Sequence, residues 1–339
     1  MKIVYLIGNG FDLNLGLQTA YRNFYDYYFE QPNTNSIIRK FKKDIKLDIE
    51  NWADLEKTLG EYTVNFDTKD ELDVIHKDLI FHLRNYLKGV ENYYVCDDSQ
   101  KGIIFDDLCL PEKVLLPTDK QQIGQFKSMS IWNNHRALKI ITFNYTNVLE
   151  KLIGYTGQQK NVGNNINIIL EDIIHIHGTI SKGMALGVND DTQFLNEKFR
   201  EDRLLKNKYI KPELNKTART GHDTSCQQWI KEGNLICVFG LSLGVTDLRW
   251  WQYIGDRLKD QYVRLILFYH KKTRTIDESS PAEVTEEEEE VKELFLNQTS
   301  LIKEEKDLVR NKIFVSINSP MFKIDNSKFN NKKLHKEVD

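Results

Sequence analysis

The chain has 339 residues, of which 40% are hydrophobic and 11% aromatic, enough for one large domain or two ordinary ones with a substantial core. With 29% charged residues it does not read as a membrane protein, and its longest apolar run, Leu235–Val245, holds two glycines and a serine and is too short to span a bilayer. A formal net charge of −3 provides no global attraction to nucleic acid or anionic lipid.

The apolar start of the chain breaks at Gly8-Asn9-Gly10 and lacks the layout of an export signal. The four cysteines (Cys96, Cys109, Cys226, Cys237) are scattered and form no Cys-x-x-Cys pair. Reduced thiols and a cytoplasmic location are the expectation.

Lys2–Ile7 is an apolar run bounded by glycine and reads as a buried strand. Helical spacing follows over Asp12–Phe29, with Leu13, Leu17, Tyr21, Phe24 and Tyr28 on one face. Residues 31–135 read as a mostly helical insertion. Its stripes are Ile37–Ile49, then Trp52, Leu55, Leu59 and Tyr62, then Leu72, Ile75, Leu79, Leu83 and Tyr86. Residues 97–130 read as a loop with short helical pieces. Further strands are expected at Lys139–Phe143, Ile166–Leu170, Asp172–His177, Leu235–Leu241, Val263–Tyr269 and Ile313–Ile317, with a helix over Asp247–Lys259 between the fifth and sixth of the chain's apolar runs. Alternating strands and helices predict an α/β fold: a mostly parallel sheet, Rossmann-like, with helices on both faces. The nucleotide-binding part would be residues 1–30 plus 136–325. Residues 183–233 and 272–310 read as peripheral excursions, the second carrying the acidic run Glu286–Glu290. Residues 327–339 read as a flexible tail.

Four segments at strand ends carry the candidate chemistry, because open α/β sheets bind ligands beyond the carboxyl ends of their strands. Gly8-Asn9-Gly10-Phe11-Asp12 is a strand-to-helix turn in which glycines let backbone N–H groups approach an anion. The usual third glycine is absent, since Leu13 stands in its place. Asp12 would repel phosphate, and suits a helix cap or a ribose hydroxyl.

Asn144, after the strand ending at Phe143, can hold a ribose or orient a water. It can equally be a turn residue, with Thr146 or Asn147 as the next helix cap. His175-Ile176-His177-Gly178 places two histidines two residues apart, hence on one face of an extended strand. His177 is a candidate general base, a core or rim histidine being the plain alternative. A metal pair would need a third ligand such as His222, which no spacing supports, so no metal is expected. In Gly240-Leu241-Ser242-Leu243-Gly244-Val245-Thr246-Asp247, Ser242 and Asp247 could bond ribose or phosphate-linked oxygens, or Thr246 or Asp247 could simply cap the helix. Glu56, four residues after Trp52, reads as structural with a site role as the alternative.

Taken in order, the four segments resemble the sirtuin-type NAD-binding fold. Gly8 to Asp12 is similar to its Gly-Ala-Gly-Ile-Ser loop, Thr142-x-Asn144 to its Thr-Gln-Asn-x-Asp motif, His177-Gly178 to its catalytic His-Gly, and Gly240-x-Ser242-Leu243-x-Val245 to its Gly-Thr-Ser-Leu-x-Val. Aspartate replaces serine at 12, threonine replaces aspartate at 146, and the two Cys-x-x-Cys pairs of the deacetylases' zinc module are missing. More narrowly, GNGFDLNLGLQTAYRNF from Gly8, Trp52-x-Asp54-Leu55-Glu56, FNYTNVLE from Phe143 and GLSLGVTDLRWW from Gly240 resemble the AbiH family of bacterial abortive-infection proteins.

That resemblance implies anti-phage defence with a phage-derived trigger, and NAD as substrate or ligand. It implies Asn144 and His177 as catalytic residues. Gly8, Asn9, Gly10, Phe11, Asp12, Thr146, Gly240, Ser242 and Asp247 are implied as binding residues. An NAD glycohydrolase is the leading expectation and a non-catalytic sensor of NAD or an ADP-ribose-like nucleotide the alternative. A nucleic-acid-directed toxin is the lesser one. A homo-oligomer is compatible with the sequence, and neither membrane nor nucleic acid is an expected partner.

Overall fold

The computed structural model describes residues 1–94, 98–129, 131, 132, 134–272 and 280–324; Cys96 and the tail 327–339 lie outside the described residues. Its centre is one sheet of seven strands: β1 (Lys2–Ile7), β2 (His135–Thr142), β3 (Gln159–Asn161), β4 (Asn167–His175), β5 (Leu235–Phe239), β6 (Arg264–Tyr269) and β7 (Ile313–Ile317). The spatial order is β3-β4-β2-β1-β5-β6-β7. Every pairing is parallel except that of the short edge strand β3 with β4. The chain steps from β1 to β2 to β4 on one side, then returns to the other side of β1 for β5, β6 and β7.

The central strands are apolar at nearly every position because both faces are covered. In β1, Ile3, Tyr5 and Ile7 face one layer, formed with the helices Asp98–Cys109, Pro117–Lys127 and Val148–Ile153. Val4 and Leu6 face the other, formed with the helices His222–Glu232, Leu248–Leu258, Pro281–Leu296 and Lys303–Arg310. Each such fully buried aliphatic side chain contributes ~1.5–3 kcal/mol from the area removed from water.

A third core is built by the helices Tyr21–Glu30, Ser36–Leu47, Leu55–Tyr62 and Lys69–Tyr93. The last begins with a capping box between Thr68 and Glu71.

Several sequence expectations change. The single helix over 12–29 is two, Gly10–Asn14 and Tyr21–Glu30, because Gly16 turns left-handed at φ 82° and ends the first. The runs 166–170 and 172–177 are one strand, interrupted only by a bulge. Leu170 faces Leu138 and Asp172 faces Lys139, so Glu171 is left over, and the strand stops at His175. Residues 98–109 and 117–127 are helices that cover the sheet, where a loop with short helical pieces was expected.

Residues 183–233 are not peripheral. Met184, Leu186, Val188, Phe194, Phe199, Leu205, Tyr209 and Ile210 are buried in the third core. Their polar sequence reflects short helices that each insert at most three apolar side chains. In 272–310, Val291, Phe295, Leu296, Leu301 and Val309 cover the sheet. Within the acidic run there, Glu287 is buried and pairs with Lys271 at 2.9 Å.

Register is what positions the site. Ile7 pairs with Thr142 and with Phe239, and Thr142 pairs with His175. The residues that follow leave the sheet at one level. Phe143 N–H still donates to Ile7 O (2.9 Å), Ile176 N–H to Thr142 O (3.0 Å) and Gly8 N–H to Phe239 O (2.9 Å). Loops far apart in the chain therefore emerge side by side at the carboxyl edge. Among the described residues no helix is long and apolar enough to cross a membrane.

Candidate functional site

Over that edge lies a cavity of about 680 Å³. The loops after β1, β2, β4 and β5 line it, joined by Glu56 and Lys211 from the helical side and by His270 and Lys272 after β6. Its size is within the range of small-ligand sites, ~300–1,000 Å³.

The two glycine-bearing loops hold each other. Gly10 N–H donates to Gly240 O at 2.8 Å, and Phe11 N–H to Gly8 O at 2.9 Å. A Cβ on Gly10 would stand 2.4 Å from the Gly240 Cα, and one on Gly8 2.4 Å from the Leu241 side chain. These glycines are needed for loop-to-loop contact, and the amides of Gly8 and Gly10 are already committed. Gly8 and Phe11 do not line the cavity; Phe11 is fully buried and packs edge-on against Phe239 and Phe322. Asn9 does line it. Its side chain also ties down the loop before Tyr21, accepting from Thr19 Oγ1 (2.6 Å) and donating to Thr19 O (3.1 Å).

Asp12 meets the loop after β2. Its Oδ1 accepts from Asn144 Nδ2 at 3.0 Å and its Oδ2 from Thr146 Oγ1 at 2.6 Å. All three side chains are buried, and all line the cavity. Burial raises the Asp12 carboxyl from its ordinary range to about 7, against the two hydrogen bonds that favour the ionised form. Asn144 Oδ1 is buried and has no hydrogen-bond partner among the described residues.

His177 stands just past the end of β4. Gly178 takes φ 74°, and a Cβ there would lie 1.7 Å from Gly183 O. That turn lets Ala185 N–H donate to His177 O (2.8 Å) and Ile180 N–H to Tyr145 O (2.9 Å), which ties the His177 loop to the Asn144 loop. The imidazole is edge-on to Phe143 at 5.4 Å, and neither ring nitrogen has a partner among the described residues. Two unpaired polar atoms on one buried ring are costly, and such groups are usually explained by a ligand or a catalytic role. Burial, with the charges of Lys211 and Arg249, holds the pKa of His177 well below the histidine range, so the ring is neutral at pH 7.

His175, expected on the same strand face, is engaged elsewhere. The strand ends before His177, so period-two alternation does not carry over. His175 Nδ1 meets Asn144 O at 2.8 Å and its Nε2 pairs with Glu150. Burial disfavours its charge, but the bond and charge of Glu150 outweigh that and raise its pKa.

The far end of the cavity is ionic. Glu56 pairs with Lys211 and accepts from Tyr145 Oη at 3.2 Å. Asp54 caps the helix Leu55–Tyr62 through Lys57 N–H (3.1 Å) and lines the same end with Asp247. Burial opposes the charge of Lys211, but Glu56, Asp247 and Asp54 together raise its pKa and keep it protonated. For Asp247, burial dominates and raises its pKa, against the pull of Lys211.

One cavity thus gathers Asn9, Gly10, Asp12, Glu56, Asn144, Thr146, His177, Gly240, Ser242 and Asp247, leaving out Gly8 and Phe11. Sequence reasoning missed Lys211, Tyr145, His270 and Lys272. The rule that attends to strand ends would have flagged His270 and Lys272, one and three residues past Tyr269. Nothing marks Lys211 among the lysines of its segment. No group of metal-ligating side chains occurs among the described residues.

The fold and site define a class: an α/β protein with a polar, partly ionic cavity at the carboxyl edge of a parallel sheet. Residues 4–269 match the family model described as "Bacteriophage abortive infection AbiH". The chain belongs to the AbiH family, which implies a function in abortive infection by bacteriophage. No curated protein matches the chain.

Proposed function

We propose that this cavity binds NAD and hydrolyses it to nicotinamide and ADP-ribose, as the effector step of abortive infection in the cytoplasm. The observation that carries the reading is the convergence of Asn144 Oδ1 and the His177 ring, both buried and unpaired, on one cavity. The order of the six parallel strands supports it. Numbered among themselves they run 3-2-1-4-5-6, the order of the doubly wound dinucleotide-binding sheet, with the ligand crevice where the order reverses. Two of the three departures from the sirtuin-type pattern also offset each other. Asp12 and Thr146 exchange carboxylate and hydroxyl between the two loops and bond directly.

The lining fits the chemistry. Breaking the bond between ribose C1′ and the nicotinamide nitrogen sends the electron pair to nicotinamide, which leaves neutral, and positive charge develops on the ribose. The carboxyl groups of Asp54, Glu56, Asp12 and Asp247 line the same cavity, and those that are ionised stabilise that charge. Asn144 orients the ribose or the attacking water, and neutral His177 accepts the proton as water adds to C1′. Lys272 at the mouth is a counter-charge for the pyrophosphate.

A sensor that holds NAD or an ADP-ribose-like nucleotide without turnover is the second reading. The depressed pKa of His177, which makes it a weak base, favours it. Nicotinamide release is measured with purified protein and in extracts of phage-infected cells. Asn144→Ala and His177→Ala should each lower it about a hundredfold or more, with unchanged circular dichroism. Calorimetric binding of NAD without nicotinamide release would select the sensor. Wild-type protein that neither cleaves NAD nor binds NAD or ADP-ribose would end both readings.

A further inference from the structure

An asparagine offers a carbonyl oxygen at one end of its amide and an NH2 group at the other, two ends of nearly the same shape. What Asn144 can do depends on which end faces the ligand, and that choice is made from behind. The near end of the amide is Nδ2, which donates to Asp12 Oδ1 at 3.0 Å, and the ionised carboxylate, which only accepts hydrogen bonds, holds it in that sense. Thr146 fixes the carboxylate through its other oxygen. The Asn144 backbone is held on both sides, its N–H donating to Thr142 Oγ1 (3.2 Å) and its carbonyl oxygen meeting His175 Nδ1 (2.8 Å). With the NH2 end engaged, the unpaired Oδ1 is the end left for the cavity.

We propose that Asp12 is a positioning residue that sets the polarity of Asn144, so that the site presents a buried carbonyl acceptor to a hydroxyl donor. That donor is a ribose hydroxyl or the attacking water. The identity of the ligand rests on the NAD reading above; the positioning does not. The sequence suited Asp12 to a helix cap or to a ribose hydroxyl. Here its carboxylate acts through the amide in front of it, and the acid form of the group keeps an oxygen that can accept from Nδ2.

Two measurements test this. In the first, rates of nicotinamide release from NAD are compared for wild type, Asp12→Ala, Asn144→Ala and the double variant. Each single change should lower the rate about a hundredfold or more. The double should be no slower than Asn144→Ala alone, because both remove one function. Losses that multiply would show Asp12 acting on the ligand directly and would overturn the proposal. If Asp12→Ala does not fold, Asp12→Leu is read in the same cycle.

The second needs no ligand. The side-chain NH2 signal of Asn144, assigned by its absence in Asn144→Ala, should be protected from exchange in wild type and in His177→Ala. It should lose protection in Asp12→Ala or Asp12→Leu and keep part of it in Asp12→Asn. An Asn144 NH2 that exchanges as fast as an exposed amide in wild type overturns the proposal. A protected NH2 in a protein that releases no nicotinamide counts against NAD cleavage and leaves the positioning role standing.

Discussion

The cavity has two walls, built in opposite ways. The wall from β1 and β5 is largely closed on itself: glycines pack against the facing loop, the Gly8 amide bonds to the end of β5 and the Gly10 amide to Gly240. The wall from β2, β4 and the helical side converges buried polar groups on open space, with Asn144 Oδ1 and both His177 nitrogens unpaired. The contrast teaches that a glycine-rich loop after a strand is not by itself an anion cradle. Where the glycines admit another loop, their N–H groups are spent before any ligand arrives. The five-residue helix Gly10–Asn14 adds little dipole to such a cradle. The unpaired buried groups of the cavity stand on the wall with few glycines, and Asp12 reaches across to them from the other wall.

Three substitutions sharpen or break that contrast. The largest effect on stability is expected from Lys211→Met in the polar wall. It leaves Glu56 and Asp247 buried without their cation, and breaking such a pair costs ~3–5 kcal/mol. The urea midpoint should fall sharply at pH 7. The deficit should shrink as pH falls, because burial raises the Asp247 carboxyl above its unfolded value and it takes up a proton early, removing the uncompensated charge. A midpoint equal to wild type at pH 7 would show that the ammonium is dispensable.

Gly10→Ala attacks the closed wall. The new methyl would meet the backbone of Gly240, which cannot swing aside, and such overpacking costs ~1–3 kcal/mol. Thermal denaturation should report the loss. Unchanged stability would mean that the two loops are not locked together. The smallest effect belongs to Ser242→Ala, at an exposed position lining the cavity. Stability should stay within ~0.5 kcal/mol of wild type. A raised KM for NAD with unchanged kcat would give the closed wall a binding role at its rim; no change in either would leave it structural.

Much of this was legible in the residues. β1, β5, β6 and β7 could be read from apolar runs because a parallel sheet covered on both faces demands them. Asn144, His177 and the Gly240–Asp247 loop could be read from their place after strands. Other features were not legible, for identifiable reasons. The break at Gly16 was hidden because apolar spacing continues across it in the sequence. Residues 183–233 read as polar because their short helices each commit only a few side chains to the core. Lys211 looked like its neighbours, and its burial against Glu56 depends on a contact between positions 155 residues apart.

The sequence by itself determined most of the strands, the mostly parallel sheet and the strand ends at which the candidate residues gather, since apolar periodicity and strand-end position are local properties of the chain. Only the tertiary structure decided which polar groups are paired. That Asp12 bonds Asn144 and Thr146, that the glycines bond each other, and that His177 is left without a partner all follow from strand register. Register brings distant loops to one level, and no local pattern records it.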